Sequence, residues 1–306
     1  MELPVLVIGE ALIDIVIPHS GDPVEHVGGS PANVAIGLAR LGHPTELATH
    51  IGTDPRGRRI ADLLAGERVK LSPGSTRAER TPTAAARLDA DGAASYQFDL
   101  DWQLDPELEL DHGGHVHTGS IAATLKPGGR AVAAIVARAR QRATVSYDPN
   151  ARPSIVGTAD QVRDEMEALV AAADVVKASD EDIVWLYPGR SLEDVLTAWS
   201  ALGPRLCAVT RGGEGTLVLV QGEFHRLPAP PTSVVDTVGA GDSFMSGLLS
   251  GLLDAGLLGG VAARERLAAA GWDQIEPAVR RALACAAITV SRAGSNPPTR
   301  AELPEG

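Results

Sequence analysis

The run Val235-Asp236-Thr237-Val238-Gly239-Ala240-Gly241-Asp242-Ser243-Phe244 is the most informative segment of the chain. It leads into Met245–Leu253, a small-residue, Leu-rich stretch with helical character, so the glycines read as a turn entering a helix N-terminus. Such a turn exposes several backbone N–H groups that can hold the oxygens of a phosphate. Asp242 falls in the first helical turn, beside that anion site. A carboxylate there can take a proton from a hydroxyl while the N–H groups stabilise charge on a transferred phosphoryl group. The same residues also fit a plainer arrangement, with Asp242 as a helix N-cap and the glycines as a turn. A P-loop is excluded, since no Gly-Lys-Ser/Thr occurs and the only lysines are Lys70, Lys126 and Lys177. No strand–turn–helix carries a clear Gly-x-Gly-x-x-Gly.

A second segment lies far away at Gly28-Gly29-Ser30-Pro31-Ala32-Asn33-Val34-Ala35. Gly28 and Gly29 let the backbone approach a ligand closely. Pro31 suits an early helical position, and Asn33 offers both a donor and an acceptor. With Asp14, these groups match a polyhydroxylated ligand held by paired hydrogen bonds; a tight turn before a capped helix is the plainer alternative. Thr210-Arg211-Gly212-Gly213-Glu214-Gly215 offers a hydroxyl and glycines after the apolar run Leu206–Val209, at the strand end where open α/β sheets bind ligands. On its own it reads equally as a hairpin turn. Ser179, followed by Asp180, Glu181 and Asp182, has the pattern of a helix cap with an acidic first turn. Arg152, in Asp148-Pro149-Asn150-Ala151-Arg152-Pro153, has a planar fork suited to an oxyanion or to a surface ion pair. His115 and His117 fall on one face of a strand, with His112 nearby, but no cysteine or carboxylate set accompanies them, so zinc is not expected.

These positions need a scaffold. Val5–Ile8, Glu46–Thr49, His115–His117, Thr144–Tyr147, Val175–Val176 and Leu206–Val209 read as buried strands. Ala32–Leu41, closed by Gly42, together with Arg130–Arg140 and Gln161–Ala172, reads as helix. Strands alternating with helices predict an α/β fold with a mostly parallel sheet. Asp14–Ile17, leading toward Val27, and a hairpin of Ala84–Leu88 and Ser95–Phe98 turning at Asp91-Gly92 break that rhythm. They predict a small separate sheet able to cover a cleft.

Bulk properties bound the function. Of the 306 residues 44% are hydrophobic and 22% charged, which is the mix of a globular protein with a sizeable core. A net charge of −12 argues against general nucleic-acid binding but leaves room for a nucleotide ligand. No apolar stretch is long enough to span a membrane, and no basic segment with a long apolar run opens the chain, so the expected compartment is the cytoplasm. Cys207 and Cys285 are isolated and predict no disulfide framework.

The two glycine-containing segments resemble, in this order, the N-terminal and C-terminal signatures of the ribokinase-like, or PfkB-type, carbohydrate kinases. The resemblance extends over essentially the whole chain and lies nearest the fructokinase-like members. It implies a ribokinase-like three-layer fold: one kinase domain over 1–306 with a discontinuous β lid at about residues 12–30 and 82–102. It implies ATP and Mg2+, with Asp242 as the base and Gly239, Ala240 and Gly241 supplying anion-hole N–H groups. Asp14, Gly28, Gly29, Asn33, Phe98 and Arg152 are then sugar-site candidates. Lys177, Ser179, Thr210, Gly212 and Gly215 are nucleotide-site candidates. Asp182 stands where many members carry a Glu that organises Mg-ATP, and Ser179 where many carry Asn. Asp236 is a candidate for a monovalent-cation site holding K+. Fructose or a related ketose is the expected acceptor, with 2-keto-3-deoxygluconate and ribose as rivals and a sugar-binding regulatory protein as the non-enzymatic alternative. Expected partners are a small-molecule sugar and ATP, with a homodimer through the lid as a candidate assembly; nucleic acid and membrane are not expected.

Overall fold

The computed structural model describes residues 4–88, 94–109 and 114–304. The turn expected at Asp91-Gly92, and His112, lie outside the described residues. The first strand, β1 (Val5–Ile8), is short and apolar, and its successive side chains serve opposite faces of a sheet. Val5 and Val7 enter one core, while Ile8 enters the other. Two strands then leave this sheet: β2 (Leu12–Ile17) and β3 (Val24–Gly28), an antiparallel pair. The chain returns through β4 (Thr45–Ala48) and β5 (Val69–Leu71), leaves again as the hairpin β6 (Thr83–Leu88) and β7 (Ala94–Asp99), and comes back as β8 (His115–Gly119). Strands β9 (Thr144–Asp148), β10 (Val175–Ser179), β11 (Leu206–Thr210), β12 (Thr216–Val220) and β13 (Glu223–Leu227) complete it.

Among the described residues the large sheet has nine strands in the order β13-β12-β11-β10-β9-β8-β1-β4-β5. From β11 to β5 every neighbour is parallel, and the edge pairs β11–β12 and β12–β13 are antiparallel. The smaller sheet has four strands in the order β3-β2-β6-β7. It carries the inserted segments read from the sequence.

Helices cover both faces of the large sheet, giving three layers. The helices Ser30–Arg40, Pro55–Gly66, Ala240–Asp254 and Trp272–Val290 pack on one face through Val34, Leu38, Leu64, Leu248 and Val279. The helices Gly128–Ala139, Ala159–Ala172 and Leu192–Leu202 pack on the other through Ile135, Leu169 and Trp199. Thr144, Ser146 and Asp148 on β9, and Lys177 on β10, alternate with Val145, Tyr147, Val176 and Ala178, which belong to the second core. The polar set therefore points toward the helix that carries Asp242. The strand order reverses at β1, which is parallel to both its neighbours: β4 and β5 are added on one side and β8 to β11 on the other, and the strand C-termini around that switch form the expected ligand crevice. Among the described residues no helix is long and apolar enough to cross a membrane.

Candidate active site

The Ser30 helix begins at Gly29, whose φ of 106° lies in the region that favours glycine. A Cβ there would sit 2.4 Å from the carbonyl oxygen of Glu10. Gly29 thus locks the helix start against the end of β1. Pro31 occupies the first turn, where its missing N–H costs no intrahelical bond.

The Ala240–Asp254 helix has Gly239 as its N-cap, left-handed at φ 75°, and no side chain caps it. Asp242 is therefore not the cap; it lies two residues inside the helix, in the first turn, and is 7% exposed. The first-turn amides of such a helix have no carbonyl four residues earlier and remain oriented toward an anion. Ala240 N–H is turned back to the Thr237 carbonyl at 3.2 Å, so the outward donors are those of the next residues.

The two signature segments meet at Asp242. Ser30 Oγ donates to Asp242 Oδ1 at 2.6 Å, and Asn33 Nδ2 donates to Oδ2 at 2.8 Å. Asn33, a sugar-site candidate in the sequence, is thus also a clamp on the base candidate, and Ser30 is a site residue that sequence reasoning passed over.

Asp14 lies on β2 with its carboxylate against Gly28, where a Cβ would come within 1.9 Å of Oδ2. Register places His26, Asp14, Ala84 and Phe98 in one row across β3, β2, β6 and β7, so their side chains share a face. Phe98 is half-buried and stacks on Tyr96, the centroids 6.1 Å apart. Desolvation pushes the Asp14 carboxyl above its usual range, and the charges of His26 and Arg152 pull it back. Arg152 is exposed; its Nη1 bonds Asn150 Oδ1 at 2.8 Å and the carbonyl of Ala151 at 2.9 Å. Its charge also reaches Glu10, a buried carboxyl that the sequence reading missed. Burial raises Glu10 to about 7, although the Ser120 hydroxyl and the Ala122 N–H favour its charged form.

On the other side of Asp242, Lys177 Nζ pairs with Asp148 Oδ2 at 2.8 Å, and their side chains are only 3% and 1% exposed. Burial lowers the Lys177 pKa, but Asp148, Asp182 and Asp242 outweigh it, and the net shift is upward. Burial raises Asp148. Ser179 and Asp182 form a reciprocal cap: Asp182 N–H donates to Ser179 Oγ at 3.0 Å, and Ser179 N–H to Asp182 Oδ2 at 2.9 Å. Asp182 Oδ1 also accepts from Ala151 N–H at 2.8 Å, tying this cap to the Arg152 loop. Thr210 ends β11, and Gly212 and Gly215 lie on its connection to antiparallel β12. Gly212 faces open space, whereas Gly215 packs against the 227–229 backbone. Asp236 accepts from Val238 N–H at 3.0 Å and Gly294 N–H at 2.8 Å, and these bonds hold its carboxyl below the usual range.

His115 and His117 are buried and spoken for. His115 bonds Thr144 Oγ1 and Ser146 Oγ, both at 2.8 Å, and His117 bonds Ser146 Oγ at 2.9 Å. Desolvation depresses both imidazoles to about 3. They remain neutral core groups.

Comparison with known proteins agrees with this geometry. The chain is 34% identical over 269 residues to a fructokinase of Klebsiella pneumoniae, covering 84% of this chain and 87% of that protein. The crystal structure of fructokinase from Vibrio cholerae O395 with fructose, ADP and calcium superposes with a TM-score of 0.80 at 27% identity, covering 96% of this chain and 94% of that one. An uncharacterized sugar kinase from Pyrococcus horikoshii in complex with ATP superposes with a TM-score of 0.79 at 26% identity, covering 98% and 97%. The family model described as pfkB family carbohydrate kinase matches residues 3–302, and the chain belongs to that family.

Proposed function

We propose that this carbohydrate kinase transfers the γ-phosphoryl group of MgATP to a hydroxymethyl group of fructose or a related ketose. The observation that carries the chemistry is Asp242, clamped by Ser30 and Asn33 in the first turn of a helix whose N-terminus no side chain caps. The sugar hydroxyl oxygen attacks phosphorus as its proton passes to Asp242. The bond from phosphorus to the bridging oxygen breaks, and ADP carries away that electron pair. The Gly239 and Gly241 amides stabilise charge on the transferred group, while Ala240, whose N–H is held by the Thr237 carbonyl, only shapes the turn.

Asp14, Gly28, Gly29, Asn33 and Phe98 support a sugar on the small-sheet side of the crevice, with Arg152 above it. Lys177, Ser179, Thr210, Gly212 and Gly215 support the nucleotide on the β10–β11 side. Among the described residues no group of three or more His, Cys, Asp or Glu side chains is arranged to hold a metal ion. Asp182 keeps a lone pair on each oxygen after its backbone bonds, which fits a Mg2+ held mainly by phosphates and water. That ion would supply charge neutralisation. Asp236 is the corresponding candidate beside a monovalent cation such as K+.

In this reading the chain is one catalytic domain, the four-stranded sheet is its lid, and the setting is cytoplasmic. Val16, Val24 and Tyr96, exposed in the row next to Asp14 and Phe98, support a homodimer formed through the lid. Sedimentation of the chain and of a Tyr96→Lys variant tests that assembly.

Fructose as acceptor rests on the names of the relatives. A sugar panel with coupled ADP detection tests it: fructose should give the highest kcat/KM. Preference for 2-keto-3-deoxygluconate would instead assign Arg152 to its carboxylate. ATP turnover with none of the sugars would leave only the regulatory-protein reading.

A further inference from the structure

Lys177 is 3% exposed, so most of its contacts are with the protein rather than with the crevice. Its ammonium lies under the glycine turn: a Cβ built on Gly241 would stand 3.1 Å from Nζ. Three carboxylates, Asp148, Asp182 and Asp242, act on this single ammonium. Among the described residues only Asp148 pairs with it directly, at 2.8 Å. Asp148 is itself 1% exposed, and among the described residues its carboxylate has no partner beyond this ion pair. A carboxylate buried with most of its acceptor capacity unused is costly, and evolution of a stable core alone favours apolar residues at such positions. The strand register explains how the pair is built: Asp148 ends β9, Lys177 is central in β10, and both project toward the Asp242 helix.

We propose that Lys177, anchored by Asp148, is a positioning residue for phosphoryl transfer, wedged beneath Gly241 so that the turn and the base keep their relative placement. The proposal rests on the reading in which the Asp242 helix N-terminus receives the transferred group. A fixed positive charge behind the Gly241 amide strengthens the field those donors present, and it does so without reorganisation at the moment of transfer. The sugar-side candidates Asp14, Gly28 and Phe98 lie on the four-stranded sheet, whereas Lys177 and Asp148 lie on the large one. The pair therefore belongs to the transfer step rather than to sugar binding.

Single substitutions confuse this role with stability, because each strands a buried charge. The informative variant removes both charges, Lys177→Met with Asp148→Asn. Parental turnover on the sugar panel is measured first; its absence would overturn the kinase reading, whereas everything below concerns the pair alone. In the double variant, thermal melting should stay near the parental value and sugar KM should hold within ~3-fold. The kcat should fall on the order of 10²-fold, the loss typical of one oxyanion donor. A folded variant that loses less than ~10-fold in kcat overturns the proposal, leaving an ion pair of structural use only. So does a parallel loss of kcat and sugar affinity, which marks a general strut. Should the methionine prevent folding, Lys177→Gln with Asp148→Asn restores a neutral hydrogen bond in the same space and is judged by the same limits.

Discussion

The side-chain amide of Asn33 reaches Oδ2 of Asp242 at 2.8 Å, joining positions 209 residues apart in the chain. Ser30 holds the other oxygen, so the carboxylate cannot rotate away from the helix axis without losing both bonds. Asp242→Asn should preserve this clamp, because the new amide can accept from Asn33 and donate to the Ser30 oxygen after the hydroxyl turns. It cannot take a proton from a sugar. We expect kcat to fall by ~10²–10⁴-fold, the worth of a positioned base, with sugar and ATP affinities within a small factor. Near-parental turnover would reduce Asp242 to a structural residue.

Asp14→Ala should weaken sugar binding more than nucleotide binding. Its carboxylate stands in the row that contains Phe98 and His26, on the four-stranded sheet rather than on the large sheet that carries Lys177. Asn33→Ala should behave differently, lowering kcat as well as sugar affinity, since it releases Asp242. Calorimetry with fructose and with an ATP analogue separates the two; unchanged sugar affinity in a folded Asp14→Ala chain would remove Asp14 from the site.

Gly29→Ala combines a φ of 106° with a contact of 2.4 Å to the Glu10 carbonyl. The backbone strain alone is worth about 1–3 kcal/mol, and relief of the clash must shift the Ser30 helix. Denaturant melts should show the loss, and kcat should drop as Ser30 and Asn33 leave Asp242. A variant with parental stability and turnover would contradict this account of the helix start.

Much of this was legible because the residues are local signals. Apolar runs such as Val5–Ile8 mark strands directly, and the two glycine segments announce helix starts. Apolarity alone marks only Val175–Val176 of β10, but the strand continues through Lys177 to Ser179 because the lysine charge is paired inside the core. Asp148 and Glu10 were missed as site residues for the same reason. A buried carboxylate has no local pattern, and only the strand order shows what faces it. Ser30 stands inside the first glycine segment, but nothing local marks its role, since its partner lies 212 residues away. The capping alternative for Asp242 was decided by one dihedral: Gly239 takes the cap position, left-handed, and leaves the aspartate inside the helix.

Glu10 makes stability depend on pH. Its folded-state pKa is raised from 4.5 to about 7, chiefly by burial. The folded chain therefore holds a proton that the unfolded chain has released between those values, and stability from this group declines as pH rises through that window. The full effect is about 3 kcal/mol, at 1.36 kcal/mol per pH unit. Glu10→Gln cannot ionise, so it should match the parent near pH 4.5 and melt higher near pH 8. Parallel melting curves for the two chains across that range would show that Glu10 does not titrate this way.

The four-stranded sheet should close on sugar before efficient transfer. It carries Asp14 and Phe98 on one face, while among the described residues its strands β2, β3, β6 and β7 pair only with one another, so it can move as a unit relative to the large sheet. Glu25 on β3 ties it to the Pro55–Gly66 helix through Arg56 at 3.0 Å and Arg59 at 2.8 Å, contacts exposed enough to adjust during closure. A kinase must also keep water from competing with the sugar hydroxyl, because both can accept the phosphoryl group. Completing the site only when sugar is present meets that need. Hydrogen exchange at residues 12–17 and 94–99 should slow when fructose saturates the chain, and slow less with a sugar that is not phosphorylated. ATP hydrolysis without sugar should be slow beside turnover on the preferred substrate. Unchanged exchange together with rapid sugar-independent hydrolysis would mean that this sheet does not gate the reaction, whatever the acceptor proves to be.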